Sequence, residues 1–114
     1  MSILDSNTMD GIAYNENSEL VMLITDHLDW SDEKTHLFAL QSKLNAYIDF
    51  WESRQYEAIY PGIQFCSSKI EIHIMYLPTP TCNRFLRVAE NQLNKLSISI
   101  VLINEAGNEV AFRE

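Results

Sequence analysis

Residues 26 to 36 read Asp-His-Leu-Asp-Trp-Ser-Asp-Glu-Lys-Thr-His, a dense run of side chains able to move a proton or hold a metal ion. A carboxylate beside an imidazole orients the ring and raises its basicity, and the same two groups are common metal donors. Asp26, His27 and Asp29 are therefore a candidate ligand-binding or catalytic site, with His36 as a further donor. No metal-spacing rule is met, and a polar strand exit running into a helix cap accounts for the same letters. Glu71 and His73 form a second pair, two residues apart and so on one face of a strand. Ser97 and Ser99 repeat that spacing, but no GxSxG elbow surrounds them. There is no Walker A loop, GxGxxG, HExxH or EF-hand loop, and three glycines are too few for most phosphate cradles. Cys66 and Cys82 make neither a CxxC pair nor a zinc pattern. The expectation is a chain with no catalytic residue of a known motif, no metal and no cofactor.

The elements that would position these residues are legible from periodicity. Leu20 to Ile24 are apolar without a break, which marks a strand buried on both faces, and "GIAY" at 11–14 precedes it as a hairpin partner across the turn "NENS". Leu37, Leu40, Leu44, Tyr47 or Ile48, and Trp51 recur at three- and four-residue steps and predict a helix over 31–53, capped by Ser31 or Asp29. "KIEIHIMYL" at 69–77 alternates as a strand and stops at "PTPT", where proline cannot continue a ladder. Thr81 then caps a second helix over 82–94, "SISIVLI" at 97–103 is a strand, and "EVAF" returns after a turn at Gly107-Asn108. The order ββαβαββ predicts one α+β domain over 1–114, a two-layer sandwich with a mixed sheet and two helices on one face. The other face, carrying Glu71, His73, Ser97 and Ser99, is open to water, a partner or a second copy.

The 114 residues carry a net charge of −8, and its distribution matters more than its size. Asp5, Asp10, Glu16, Glu19, Asp26, Asp29, Asp32 and Glu33 all fall in the first 33 residues, which contain no Lys or Arg. Such a segment repels phosphate and anionic lipid, which argues against nucleic acid and membrane surfaces. It attracts a basic partner. No signal peptide opens the sequence and no apolar run approaches the roughly 18 residues of a membrane span, so a reduced, cytoplasmic protein is expected.

The stretches "DGIAY", "ELVMLITDHLDW", "HLFALQSKLNAYIDFWES", "YLPTPTCNRFL" and "SISIVL" resemble a family of small, acidic, uncharacterised bacterial proteins, a domain of unknown function. The resemblance covers most of the chain. It implies an α+β cytosolic bacterial protein and supplies no catalytic residue.

Two functions follow. One is a protein-binding module, of immunity or antitoxin type, that docks on a basic partner through Asp26, Asp29, Asp32 and Glu33 with Trp30 or Tyr56 as anchors. The other is a small-molecule-binding protein or enzyme using Asp26, His27, Asp29 or His73. Homodimer formation through the open sheet face is compatible with either.

Overall fold

The computed structural model describes residues 3–112; residues 1–2 and 113–114 of the expected domain lie outside the described residues. Five strands and two helices follow in the order β1 (Gly11–Tyr14), β2 (Glu19–Asp26), α1 (Glu33–Glu52), β3 (Ser67–Ile74), α2 (Pro80–Leu93), β4 (Ile98–Ile103) and β5 (Glu109–Val110). The strands lie in the sheet in sequence order. β1 and β5 pair antiparallel at the two edges, and β2, β3 and β4 run parallel between them. This is the expected α+β fold with a mixed sheet. Two successive parallel crossovers stepping the same way across a sheet put both helices on one face.

Residue parity sets the faces. Leu20, Met22 and Ile24 on β2, Ile70, Ile72 and Ile74 on β3, and Ile98, Ile100 and Leu102 on β4 are all buried beneath the helices. They meet Leu40, Leu44 and Tyr47 of α1 and Leu86 and Leu93 of α2 in one core. The opposite face holds Leu23, Lys69, Glu71, His73, Ser99 and Val101, all half-buried or exposed.

Several boundaries differ from those the sequence suggests, each for a local reason. α1 starts two residues late because Asp32, not Ser31 or Asp29, is the N-cap, its carboxylate accepting from the Thr35 N–H at 3.1 Å. α2 starts at Pro80 because Thr79, not Thr81, caps it through Cys82 N–H at 3.1 Å, leaving proline in the first turn where its missing N–H costs nothing. β3 ends at Ile74, so Met75, Tyr76 and Leu77 leave the sheet. Ser97 precedes β4 in a left-handed turn (φ 63°) and is not on the open face. β5 is only two residues long.

The short edge strands leave backbone amides of their neighbours uncovered, and carboxylates take them. Thr25 lies beyond the end of β1, and its N–H donates to Asp10 Oδ2 at 2.9 Å. Ile100 lies beyond β5, and its N–H donates to Glu90 Oε2 at 3.3 Å. The Ile100 amide is buried, and left unpaired it would cost about 1–3 kcal/mol; the Thr25 amide is at the surface, where Asp10 extends the ladder.

Asp10 also anchors a buried cation. The Lys43 ammonium on α1 has three N–H donors and three acceptors: the Asp5 carbonyl, the Thr8 carbonyl at 2.7 Å and Asp10 Oδ1 at 2.9 Å. Tyr47, one turn on, donates its hydroxyl to the Leu23 carbonyl at 2.5 Å and accepts from the Asp10 N–H at 2.9 Å. Burial pushes the Tyr47 phenol up from its ordinary value; the Asp10 N–H opposes this and the Asp10 charge adds to it. The segment before β1 is thereby fastened to α1 and β2.

Candidate functional site

The chemistry-bearing residues gather at the C-terminal ends of the parallel strands, where α/β sheets commonly bind ligands. β2 delivers Asp26 to the helix side, and the loop 27–32 turns back into α1. This places His36, in the first turn of α1, against Asp26: Nε2 lies 2.6 Å from Oδ2. Nδ1 of the same ring donates to the Asp29 carbonyl at 2.9 Å. Both ring nitrogens thus face oxygens, and the ring is held at both ends. Trp30 closes the pair from outside, its ring stacked on His36 with centroids 3.6 Å apart and planes 16° from parallel. The indole Nε1 is buried there with no hydrogen-bond partner.

Asp26 and His36 are only 3% and 2% exposed, and that decides what they do. Asp26 accepts through its other oxygen from the Leu28 N–H at 3.2 Å. Enclosed by protein and bonded to it in this way, the pair pins the 27–32 loop. Cys82, at the start of α2, lies close enough to Asp26 to feel its charge. Burial first, then the charges of Asp26 and Glu33, push its thiol up to about 12. It is a buried protonated thiol, not a nucleophile.

The remaining candidates separate. His27 and Asp29 are exposed. Asp29 caps its own turn, accepting from the Ser31 hydroxyl at 2.7 Å and the Ser31 N–H at 3.1 Å. His73 lies on the open sheet face, the opposite side from Asp26, with Glu71 at 3.1 Å and Lys69 beyond it. His73 therefore lies apart from the strand-end candidates Asp26, His27 and Asp29, and of those only Asp26 is buried. No set of three or more His, Cys, Asp or Glu among the described residues is placed to hold a metal ion. Of the six residues expected to meet a partner, Asp26 and Tyr56 are buried. Tyr56 stacks on Trp51 at 5.1 Å and packs edge-on against Phe65. Trp30 is half-buried on His36, and Asp29 and Asp32 are exposed with Glu33 partly so.

What the sequence reading missed is apolar. Met75, Tyr76 and Leu77, in the loop after β3, are 48%, 48% and 69% exposed. With Ile74 and Asn104, Glu105 and Ala106 of the β4–β5 turn they line an open depression of about 330 Å³. The loops after β2 and β3 are neighbours, since the Met75 N–H donates to the Asp26 carbonyl at 3.2 Å. The strand ends therefore present three adjoining apolar side chains between Asp29, Asp32 and Glu33 on one side and Glu105 on the other. A signal was present in the sequence: three large apolar residues directly before "PTP" exceed what an alternating strand needs.

A two-layer α+β domain with an acidic, apolar-centred edge is the class of protein defined by this geometry. Residues 1–105 match the model of a family of unknown function, DUF6572, and the chain belongs to that family. No curated protein and no solved structure matches it. No helix among the described residues is long and apolar enough to cross a membrane.

Proposed function

We propose that this chain is a protein-binding module that docks on a basic partner through the C-terminal ends of its parallel strands. The observation that carries this reading is the exposed triplet Met75, Tyr76 and Leu77 set among exposed carboxylates. Interfaces commonly combine an apolar, aromatic-rich centre with a polar rim, and three contiguous large apolar residues in water are otherwise a liability. The acidic rim selects a basic surface and speeds encounter. The concrete form is an immunity- or antitoxin-like protein covering the anion-binding surface of a toxin such as a nuclease, in a cytoplasmic setting.

The test is affinity capture from host lysate at low and moderate salt. The wild type is run beside an Asp29→Asn, Asp32→Asn, Glu33→Gln variant and beside a Tyr76→Asp, Leu77→Asp variant. A basic protein held by the wild type, lost from the second variant and weakened in the first, supports the reading. Identical captures by all three at both salts would sink it.

A further inference from the structure

We propose that the outer face of α2, with the groove beside it, docks an acidic amphipathic helix of another protein, at a surface separate from the acidic edge. The charge of the chain is segregated. Residues 72–104 hold three bases, Arg84, Arg87 and Lys95, and a single acid, Glu90. Glu90 is buried and accepts from the Ile100 amide, so α2 shows no carboxylate to solvent. Arg84, Val88 and Asn91 are exposed at four- and three-residue steps along α2, and exposed Lys95 follows in the turn after it. They form one stripe, with a cation at either end and Val88, 58% exposed, between them. Eleven residues of helix set the two cations about 16 Å apart.

Charge selects the sign of the occupant. The bases outside α2 are matched: Lys43 meets Asp10 at 2.9 Å, Arg54 meets Glu57 at 3.2 Å and Lys69 meets Glu71 at 3.5 Å. Lys34 lies close enough to Asp32 to act on its charge. Arg84 reaches only the Thr81 hydroxyl, at 3.3 Å, and neither it nor Lys95 is paired with a carboxylate among the described residues. In a chain of 16 acids and 8 bases, unpaired cations on one stripe favour carboxylates supplied from outside. Asp49 and Glu52 are exposed toward the end of α1 and repel such a chain there, so it lies along α2. The groove selects its form. About 90 Å³ in volume, it is lined by Leu44 and Ile48 of α1 and Phe85 and Ala89 of α2, together with amide side chains, and takes one aliphatic side chain. Its walls are helices, whose backbone groups are bonded internally and cannot pair an extended strand. A helix arrives with its own backbone satisfied, fills the groove with an apolar residue and turns Asp or Glu toward Arg84 and Lys95. Nucleic acid would match the cations, but it is repelled by the net charge of −8 and leaves the groove unfilled.

The experiment is an NMR titration of the isotope-labelled full chain with a helical peptide carrying Leu on one face and Glu on the other. Backbone shifts should move saturably along 84–95 and beside the groove. Arg84→Glu, Lys95→Glu and Val88→Asp should each weaken binding at least about tenfold. Lys69→Glu, the same change of charge on the open sheet face, should leave it nearly in place. All four side chains reach solvent, and far-UV circular dichroism confirms that the variants fold. No saturable shift up to millimolar peptide overturns the proposal. So does an equal loss in Lys69→Glu, which would mean that net charge alone is read. A DNA duplex that moves the same amides as strongly as the peptide also overturns it, because the stripe would then be a general anion surface. Asp29→Asn with Asp32→Asn should leave peptide binding in place, so this surface and the acidic edge are tested separately.

Discussion

Two buried ion pairs hold opposite flanks of the same sheet strand, and they differ in what they fasten. On the edge side, Lys43 of α1 reaches Asp10 and two carbonyls of the segment before β1, and Asp10 in turn takes the Thr25 amide. At the strand's end, Asp26 takes His36 and the Leu28 amide. The first pair joins distant parts of the chain, 33 residues apart in sequence, through a fully buried ammonium. The second joins residues 10 apart and closes a single loop. Lys43 serves three protein oxygens at once, whereas Asp26 and His36 meet through one hydrogen bond. Removing one partner should therefore cost far more at Lys43 than at Asp26.

Lys43→Met tests the larger side. It leaves the Asp10 carboxylate and the Asp5 and Thr8 carbonyls without their donor, and the expected loss is about 3–5 kcal/mol in urea unfolding. The segment before Gly11 should become the first site of limited proteolysis. A loss under about 1 kcal/mol would mean that the pair contributes no more than a surface contact.

Asp26→Asn tests the smaller side. The amide keeps an acceptor for Leu28 N–H and offers a donor to His36 Nε2, so the neutral pair survives with one hydrogen bond weakened. Expected is a loss of about 1–3 kcal/mol, with α1 still starting at Glu33 by backbone NMR shifts. A cost equal to that of Lys43→Met would erase the distinction between the two pairs.

Cys82 sharpens the Asp26 side further. Its thiol is pushed up to about 12 by burial and by Asp26 and Glu33, from an ordinary 9.0. A group held in its neutral form contributes stability that is complete below the unfolded value and lost as pH rises from 9.0 toward about 12. The unfolding midpoint should fall across that window, and Cys82→Ala should flatten the fall. In thiol labelling at neutral pH, Cys66, which is exposed, should react at once, and Cys82 only as fast as the chain opens.

The contrast also explains how much was legible in the sequence. The ββαβαββ order, the mixed sheet and the two helices followed from the apolar run at 20–24, the stripe through Leu37 to Trp51 and the alternation from Ile70, because periodicity survives any tertiary detail. Caps were off by one to three residues because Ser31, Asp29, Asp32, Thr79 and Thr81 are all competent, and only the chain's path chooses among them. The candidate site was half legible. Asp26 stood out beside His27, its sequence neighbour, but a strand sends adjacent residues to opposite faces, and the partner proved to be His36. Lys43 gave no signal at all. On a helix wheel it stands with Ala39, Leu40 and Tyr47 on the buried side of α1, but its partners lie in a segment 35 residues away, which the spacing does not reveal. Met75 to Leu77 were absorbed into a strand because alternation cannot say where the ladder ends.

The smallest expected effect lies at the exposed end of the same loop. Asp32 is held below the ordinary 3.8 by the Thr35 hydroxyl and then by the Thr35 N–H, and Asp29 likewise by the Ser31 hydroxyl and N–H. A carboxyl whose folded value is depressed contributes stability that is present above 3.8 and lost as pH falls through its folded value. The gap in urea midpoint between the wild type and Asp32→Asn should therefore be present at neutral pH and vanish in strong acid, while Asp29→Asn shows the same trend. An unchanged gap in acid would mean that Asp32 acts only as a neutral acceptor for the cap. The sign matters beyond stability. Because the cap bonds keep both carboxylates ionised into mild acid, capture of a basic partner should persist as pH falls toward 4 and fade only where the caps themselves loosen. Local folding of the loop and part of the charge of the proposed docking edge then draw on the same two side chains.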